Sequence, residues 1–166
     1  MIQWRTLAVA ILSASAALVP SSAMAAYGCS VAVVGVNFGT YDPVAAAPDD
    51  SAGRVDVTCT NVPGTGVDDV AYSVALSPGV AGNFSPRQLA AGNARLDYNL
   101  FRDAGRTQAW GNGTSSSFLV SGSLRVGPGQ GNGTRTNTHD IFGRVPAKQD
   151  AAAGTYADTI VVTLTF

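Results

Sequence analysis

The sequence contains no glutamate, only one lysine (Lys148) and only one histidine (His139). The charged residues that best support helices are therefore nearly missing, while Thr, Val, Gly and Ser abound. That composition favours short strands joined by turns. An excess of either charge is missing as well: 10 Lys+Arg stand against 11 Asp over 166 residues, a net charge of −1. A nucleic-acid partner would want a basic face, and none is offered. Two cysteines and one histidine lack the close spacing of a zinc site. No apolar run reaches the ~20 residues that a membrane-spanning helix needs.

The longest apolar run, Leu7–Val19, has 13 residues; it follows the positive Arg5 and precedes small residues at Ala23 and Ala25. This pattern predicts a secretory signal peptide over residues 1–25, cleaved after Ala25. The remaining 26–166 would be one domain with a net charge of −2. In an exported chain, the single cysteine pair Cys29 and Cys59 predicts one disulfide. Closing a loop of that length stabilises by roughly 3–4 kcal/mol on the chain-entropy estimate.

Period-2 alternation dominates the chain from Cys29 onward. Cys29, Val31 and Val33 share one face. Val36 and Phe38 carry it onward with shifted parity, which predicts a bulge or bend at Gly35. Residues 40–53 read as a loop. Val55, Val57 and Cys59 form the next inward row, and Val70, Tyr72, Val74 and Leu76 another. Residues 78–94 read as irregular. Leu96, Tyr98 and Leu100 alternate again, then 102–106 reads as a hairpin turn with a short returning strand at 107–110. Strands are predicted over 117–126 and 139–145, with a mobile glycine-rich loop over 127–134. From Thr159 the chain alternates without interruption, with Ile160, Val162, Leu164 and Phe166 facing one way. Seven or eight short strands with frequent turn signals predict an all-β sandwich.

Candidate chemistry is sparse. His139 beside Asp140 reads as an exposed loop histidine, and no G-x-S-x-G motif surrounds any serine. The carboxylate pairs Asp49–Asp50 and Asp68–Asp69 read as solvated loop residues without the spacing of a dedicated calcium loop. Asn112-Gly113 and Asn132-Gly133 read as turns although they match glycosylation acceptors, as does Asn83. Trp110 reads as partly exposed at a strand end, which makes it a candidate surface-binding residue. No cofactor, metal or small-molecule substrate is expected.

Four blocks in series carry a resemblance: CSVAVVGVNFGTYDP, GRVDVTCT, LDYNLFRDAGRTQAWGNGT and IFGRVPAKQDAAAGTYADTIVVTLTF. Along nearly all of residues 29–166 their order and spacing resemble the spore coat protein U domain family. That family includes the coat protein of fruiting bacteria and secreted subunits of archaic chaperone–usher pili. The resemblance implies an incomplete immunoglobulin-like sandwich that lacks its last strand and is completed by strand addition from another chain. It implies a Cys29–Cys59 disulfide between the first two strands. It also implies an acceptor groove walled by Ile160, Val162, Leu164 and Phe166, with Val31 and Val33 opposite. The implied partners are a periplasmic chaperone, an outer-membrane usher and other pilus or coat subunits, with the cell surface as destination.

One departure from that pattern matters. Cleavage after Ala25 leaves three residues before Cys29, spanning about 10 Å at most, too short to fill a neighbour's groove. The expectation is a terminal subunit that accepts a strand without giving one. The competing expectation is a tip adhesin or secreted binding module that recognises a surface or glycan.

Overall fold

The computed structural model describes residues 27–63, 65–130 and 133–166. The predicted signal peptide, the Asn132 acceptor and the predicted mature start at Ala26 lie outside the described residues. Eight strands are formed: β1 (Tyr27–Val34), β2 (Asp49–Asn61), β3 (Asp68–Leu76), β4 (Arg87–Ala91), β5 (Ala94–Phe101), β6 (Val120–Val126), β7 (Thr134–Val145) and β8 (Val162–Thr165). They build one sheet of order β1-β2-β7-β5-β4 and a second of order β6-β3-β8. Every ladder is antiparallel.

The inward rows follow the sequence alternation. Val55, Val57 and Cys59 from β2 are fully buried, as are Val70 and Val74 from β3. Leu96, Tyr98 and Leu100 from β5 complete the opposing wall, with Ile141 and Val145 of β7 beside them. Burying the larger of these side chains contributes roughly 1.5–3 kcal/mol each, which is why a strand's parity decides its face. Cys29 and Cys59 sit directly opposite each other in the β1–β2 ladder and are joined by a disulfide.

Several elements differ from the sequence reading, each for a physical reason. β2 begins at Asp49, within the stretch read as a loop. The Arg144 guanidinium, one strand away, grips both oxygens of Asp50 at 2.6 and 2.7 Å, and the Ser51 hydroxyl donates to the Asn37 carbonyl at 2.6 Å. These partners are 94 and 14 residues distant, so no local pattern announces the strand. β4 lies inside the stretch read as irregular, joined to β5 by a two-residue turn with Gly92 at φ 59°. β7 starts at Thr134 rather than 139, within the supposed mobile loop. Residues 107–110 form isolated bridges instead of a strand.

Nor is there a bulge at Gly35. β1 ends at Val34, and the chain then crosses the inner face of its own sheet. Gly53 and Gly143 make room for it: a Cβ on Gly53 would stand 2.5 Å from the Val34 carbonyl oxygen, and one on Gly143 would stand 2.7 Å from Val36 and 2.8 Å from Phe38. Val36 and Phe38 thereby keep the inward apolar face without belonging to a strand.

The loop between β3 and β4 is anchored from β4. Arg87 is fully buried and donates to the Ser77 carbonyl at 3.0 and 3.2 Å, the Trp110 carbonyl at 2.6 Å and the Asn99 side chain at 2.8 Å. No carboxylate touches it, and burial pushes the guanidinium pKa down against the pull of Tyr98 and Asp158. Neutral acceptors satisfy its donors, which is what lets a cation sit inside the sandwich.

Candidate functional site

A β-sandwich has four end strands, and here they are treated differently. β4's outer edge is engaged by Ala157, whose amide and carbonyl both bond Ala90, at 3.0 and 2.9 Å. β6's edge is blunted by side chains: Asn137 donates to the Ser123 carbonyl at 3.1 Å and Arg102 donates to the Leu119 carbonyl at 2.5 Å. β1 bonds only β2, and β8 bonds only β3; among the described residues nothing caps their outer edges. Uncapped edges invite pairing with another chain, which is why most proteins blunt them.

These two free edges lie on the same side of the sandwich. At one end the rings of Tyr27 and Phe166 meet, with centroids 6.3 Å apart. At the other, Val33 of β1 shares a cavity of about 940 Å³ with Ile160 and Val162. Start therefore meets end, so β1 and β8 run antiparallel across the gap. A strand laid between them would be parallel to one and antiparallel to the other.

The six residues expected to wall the groove fall into three pairs. Val31 and Leu164 are partly buried and packed on the core. Ile160 and Val162 are partly buried and line the cavity. Val33 (47% exposed) and Phe166 (53%) are apolar and largely in solvent. β8 is shorter than the alternation suggested, beginning at Val162 rather than Thr159. The Ser77 hydroxyl takes the place of a ladder partner by accepting from the Val161 amide at 2.9 Å, while the Ser77 amide donates to the Val161 carbonyl at 2.9 Å.

Sequence reasoning missed the floor of this cavity. Phe38 and Tyr98 meet there edge-on at 6.0 Å, with Leu76 and Leu89 beside them and the strap Ala151–Asp158 along one side. The signal that could have revealed it was Gly143, a glycine inside a strand pattern, which marks a close approach of another segment. Where the cavity turns polar, the Tyr98 hydroxyl donates to Asp158 at 2.7 Å; burial, then that carboxylate, pushes the phenol pKa well up. Asp158 also accepts from the amides of Val80 and Thr159, pinning the strap to the β3–β4 loop.

Trp110 corrects the surface-binding expectation. Its side chain is fully buried and its indole N–H donates to the Val74 carbonyl at 3.0 Å. His139 is likewise not on an exposed loop. It lies on β7, half-buried between the sheets, with Nε2 2.8 Å from the Tyr72 hydroxyl. Asn137 donates to that same hydroxyl at 2.9 Å. Burial pushes the imidazole pKa down, against the pull of Asp140. A histidine that is less basic folded than unfolded supports the fold above its ordinary value of about 6.5 and loses that support as pH falls through it. Urea midpoints should therefore drop between about pH 7 and 5, and His139→Gln should flatten that limb. A further loss is expected at lower pH, as Asp50, whose carboxyl Arg144 holds below the usual carboxylate range, becomes protonated.

The Spore Coat Protein U domain model matches residues 15–163. The chain belongs to the spore coat protein U domain family. Protein U of Myxococcus xanthus is 37% identical over 144 residues, covering 79% of this chain and 71% of that protein. Among solved structures, this member of the family is similar to a chain in the CsuC–CsuE chaperone–tip adhesion subunit pre-assembly complex, from the archaic chaperone–usher Csu pili of Acinetobacter baumannii. The TM-score is 0.51 at 23% identity, over 84% of this chain but only 40% of that one. At that identity the likeness speaks for a shared fold: the chain is a pilin-like β-sandwich.

Proposed function

We propose that this spore coat protein U domain is a non-enzymatic structural subunit of a bacterial surface pilus or coat, completed by a β-strand from another chain. The carrying observation is the asymmetry of the sheet edges. β4 and β6 are closed by the protein's own groups, whereas β1 and β8, uncapped among the described residues, face each other beside an apolar cavity. A guest strand would satisfy main-chain groups of both edges, and its alternate apolar side chains would fill the gap. A periplasmic chaperone would lend the strand first, and a neighbouring subunit would replace it after delivery to an outer-membrane usher.

The subunit would be an acceptor. With cleavage after Ala25, the residues before Cys29 are Ala26, Tyr27 and Gly28. Tyr27 and Gly28 are already paired with Asn61 and Thr60. That leaves no arm to donate, as suits a terminal position in a fibre. The reading as a surface- or glycan-binding module through Trp110 loses its motive with the burial of that side chain. As for enzymatic activity, the sole histidine is bonded through Nε2 to a tyrosine hydroxyl rather than to a serine.

The test is complementation. The secreted chain is titrated with a synthetic peptide of alternating apolar residues and with a scrambled peptide of equal composition. At a hundredfold excess over Kd, the alternating peptide should raise unfolding free energy by about 2.7 kcal/mol, and the scrambled one should not. A monomer indifferent to every alternating peptide and to a co-expressed chaperone would sink the reading.

A further inference from the structure

The proposed groove between β1 and β8 is not uniform along its length. By alternation, Tyr27, Cys29, Val31 and Val33 form the inward row on one side, and Ile160, Val162, Leu164 and Phe166 the row on the other. At the Tyr27 end the two rows touch. The rings of Tyr27 and Phe166 are tilted by 52° with centroids 6.3 Å apart, the spacing of a favourable aromatic pair. Tyr27 is packed on the core, so protein backs its ring, whereas Phe166 is 53% exposed and reaches it from the opposite edge.

At the Val33 end the rows stand apart around the cavity of about 940 Å³, floored by Phe38, Leu76, Leu89 and Tyr98. The Tyr98 hydroxyl there is already spent on Asp158 at 2.7 Å. Water in such a space meets mostly apolar walls and finds few partners. One end of the groove is therefore filled by the protein's own rings, and the other is empty.

We infer that the groove selects an extended segment of another chain by a gradient of side-chain size: glycine or alanine at the inward position between Tyr27 and Phe166, and a bulky apolar residue at the inward position beside Val33 and Ile160. The inference rests on the reading of β1 and β8 as acceptor edges and adds which strand they accept. At about 3.3 Å per residue, the stretch from Tyr27 to Val33 is matched by about 20 Å of guest, or about seven residues with about four inward side chains. The inward residue at the Tyr27 end must fit where two rings already meet. A larger side chain there would have to part them, losing their contact and straining the packing behind Tyr27. The inward residue at the Val33 end enters a space that an aromatic or leucine side chain fills with apolar contact. The aromatic pair is thus a size filter: it disfavours strands that are bulky throughout, although these carry more apolar area to bury.

The probes are three lysine-flanked heptapeptides with threonine at the outward positions. Their inward residues run Phe-Leu-Leu-Ala, Phe-Leu-Leu-Phe and Ala-Leu-Leu-Ala, and the graded first peptide is made in both sequence directions so that either guest polarity is sampled. In calorimetric titration of the secreted chain, the graded peptide should bind tightest. Ala-Leu-Leu-Ala should bind about 10- to 100-fold more weakly, as loss of one large buried side chain implies. Phe-Leu-Leu-Phe should bind about 10-fold more weakly. Phe166→Ala changes a half-exposed side chain, so the fold should be kept. That variant should bind the doubly bulky peptide at least as well as the graded one. In the graded complex the peptide's Phe ring should shift the methyl resonances of Leu89 and Ile160 and leave the Tyr27 ring in place. Equal binding of all three peptides, or a parent chain that prefers the doubly bulky one, would overturn the size gradient and leave strand uptake standing. A parent chain that binds none of the three would overturn both.

Discussion

Trp110→Ala should cost about 3–5 kcal/mol, the range for removing a large buried aromatic. That is a large share of the ~5–15 kcal/mol that holds a domain of this size together. The indole is fully buried between the two sheets, with the His139 ring edge-on at 6.4 Å. Its backbone is tied down too. The Trp110 amide donates to the Leu100 carbonyl of β5, and the next residue's carbonyl accepts from the Leu76 amide of β3. The 107–118 connection therefore staples one sheet to the other at this point. Truncation would leave a cavity and also strand the Val74 carbonyl, which now accepts the indole N–H. Trp110→Phe separates these costs: it keeps a ring and loses mainly the hydrogen bond, for about 1–3 kcal/mol. Urea unfolding reads both, provided the m value is unchanged. A loss under about 1 kcal/mol for Trp110→Ala would contradict the burial and restore Trp110 as a surface residue.

The parts of this fold that can be read from sequence are those whose cause is local. The alternations at 55–59, 70–76 and 96–100 specify inward faces because period 2 and burial act together within a few residues. The disulfide follows from export and an even cysteine count. The long-range causes stay hidden. Arg87 occupies an inward position of β4, where a charged residue argues against burial; only acceptors at residues 77, 99 and 110 make that burial tolerable. Asp49 and Asp50 resemble loop residues because Arg144 is 94 residues away from the partner it grips. Phe38 reads as part of a bulged strand because alternation alone cannot tell a bulge from a chain that leaves the sheet and crosses over two glycines. The terminal apolar alternation at 160–166 is legible in the sequence, and the floor of the cavity beside it is not.

Replacing both cysteines with alanine should lower stability by roughly 3–4 kcal/mol, because the disulfide closes a loop between residues 30 apart and constrains the unfolded chain accordingly. The loss should not fall evenly over the molecule. β1 is an end strand whose only ladder is with β2, and its Val33 and Val34 are nearly half exposed. Few buried contacts hold it, so local opening is expected there first. In the oxidised protein the Cys29–Cys59 bond forbids that opening near the start of the ladder. Once the bond is gone, β1 amides should exchange well before those of β3 and β5, which are tied to fully buried rows. The consequence for the proposed groove is direct, since β1 would be one of its two walls. Alternating strand peptides should bind the double-alanine chain much more weakly than the parent under conditions where β3 and β5 remain protected. Hydrogen exchange read residue by residue, with and without peptide, tests both steps. Equal protection of β1 with and without the disulfide would show that the bond stabilises the chain as a whole and is not what holds the groove wall in place.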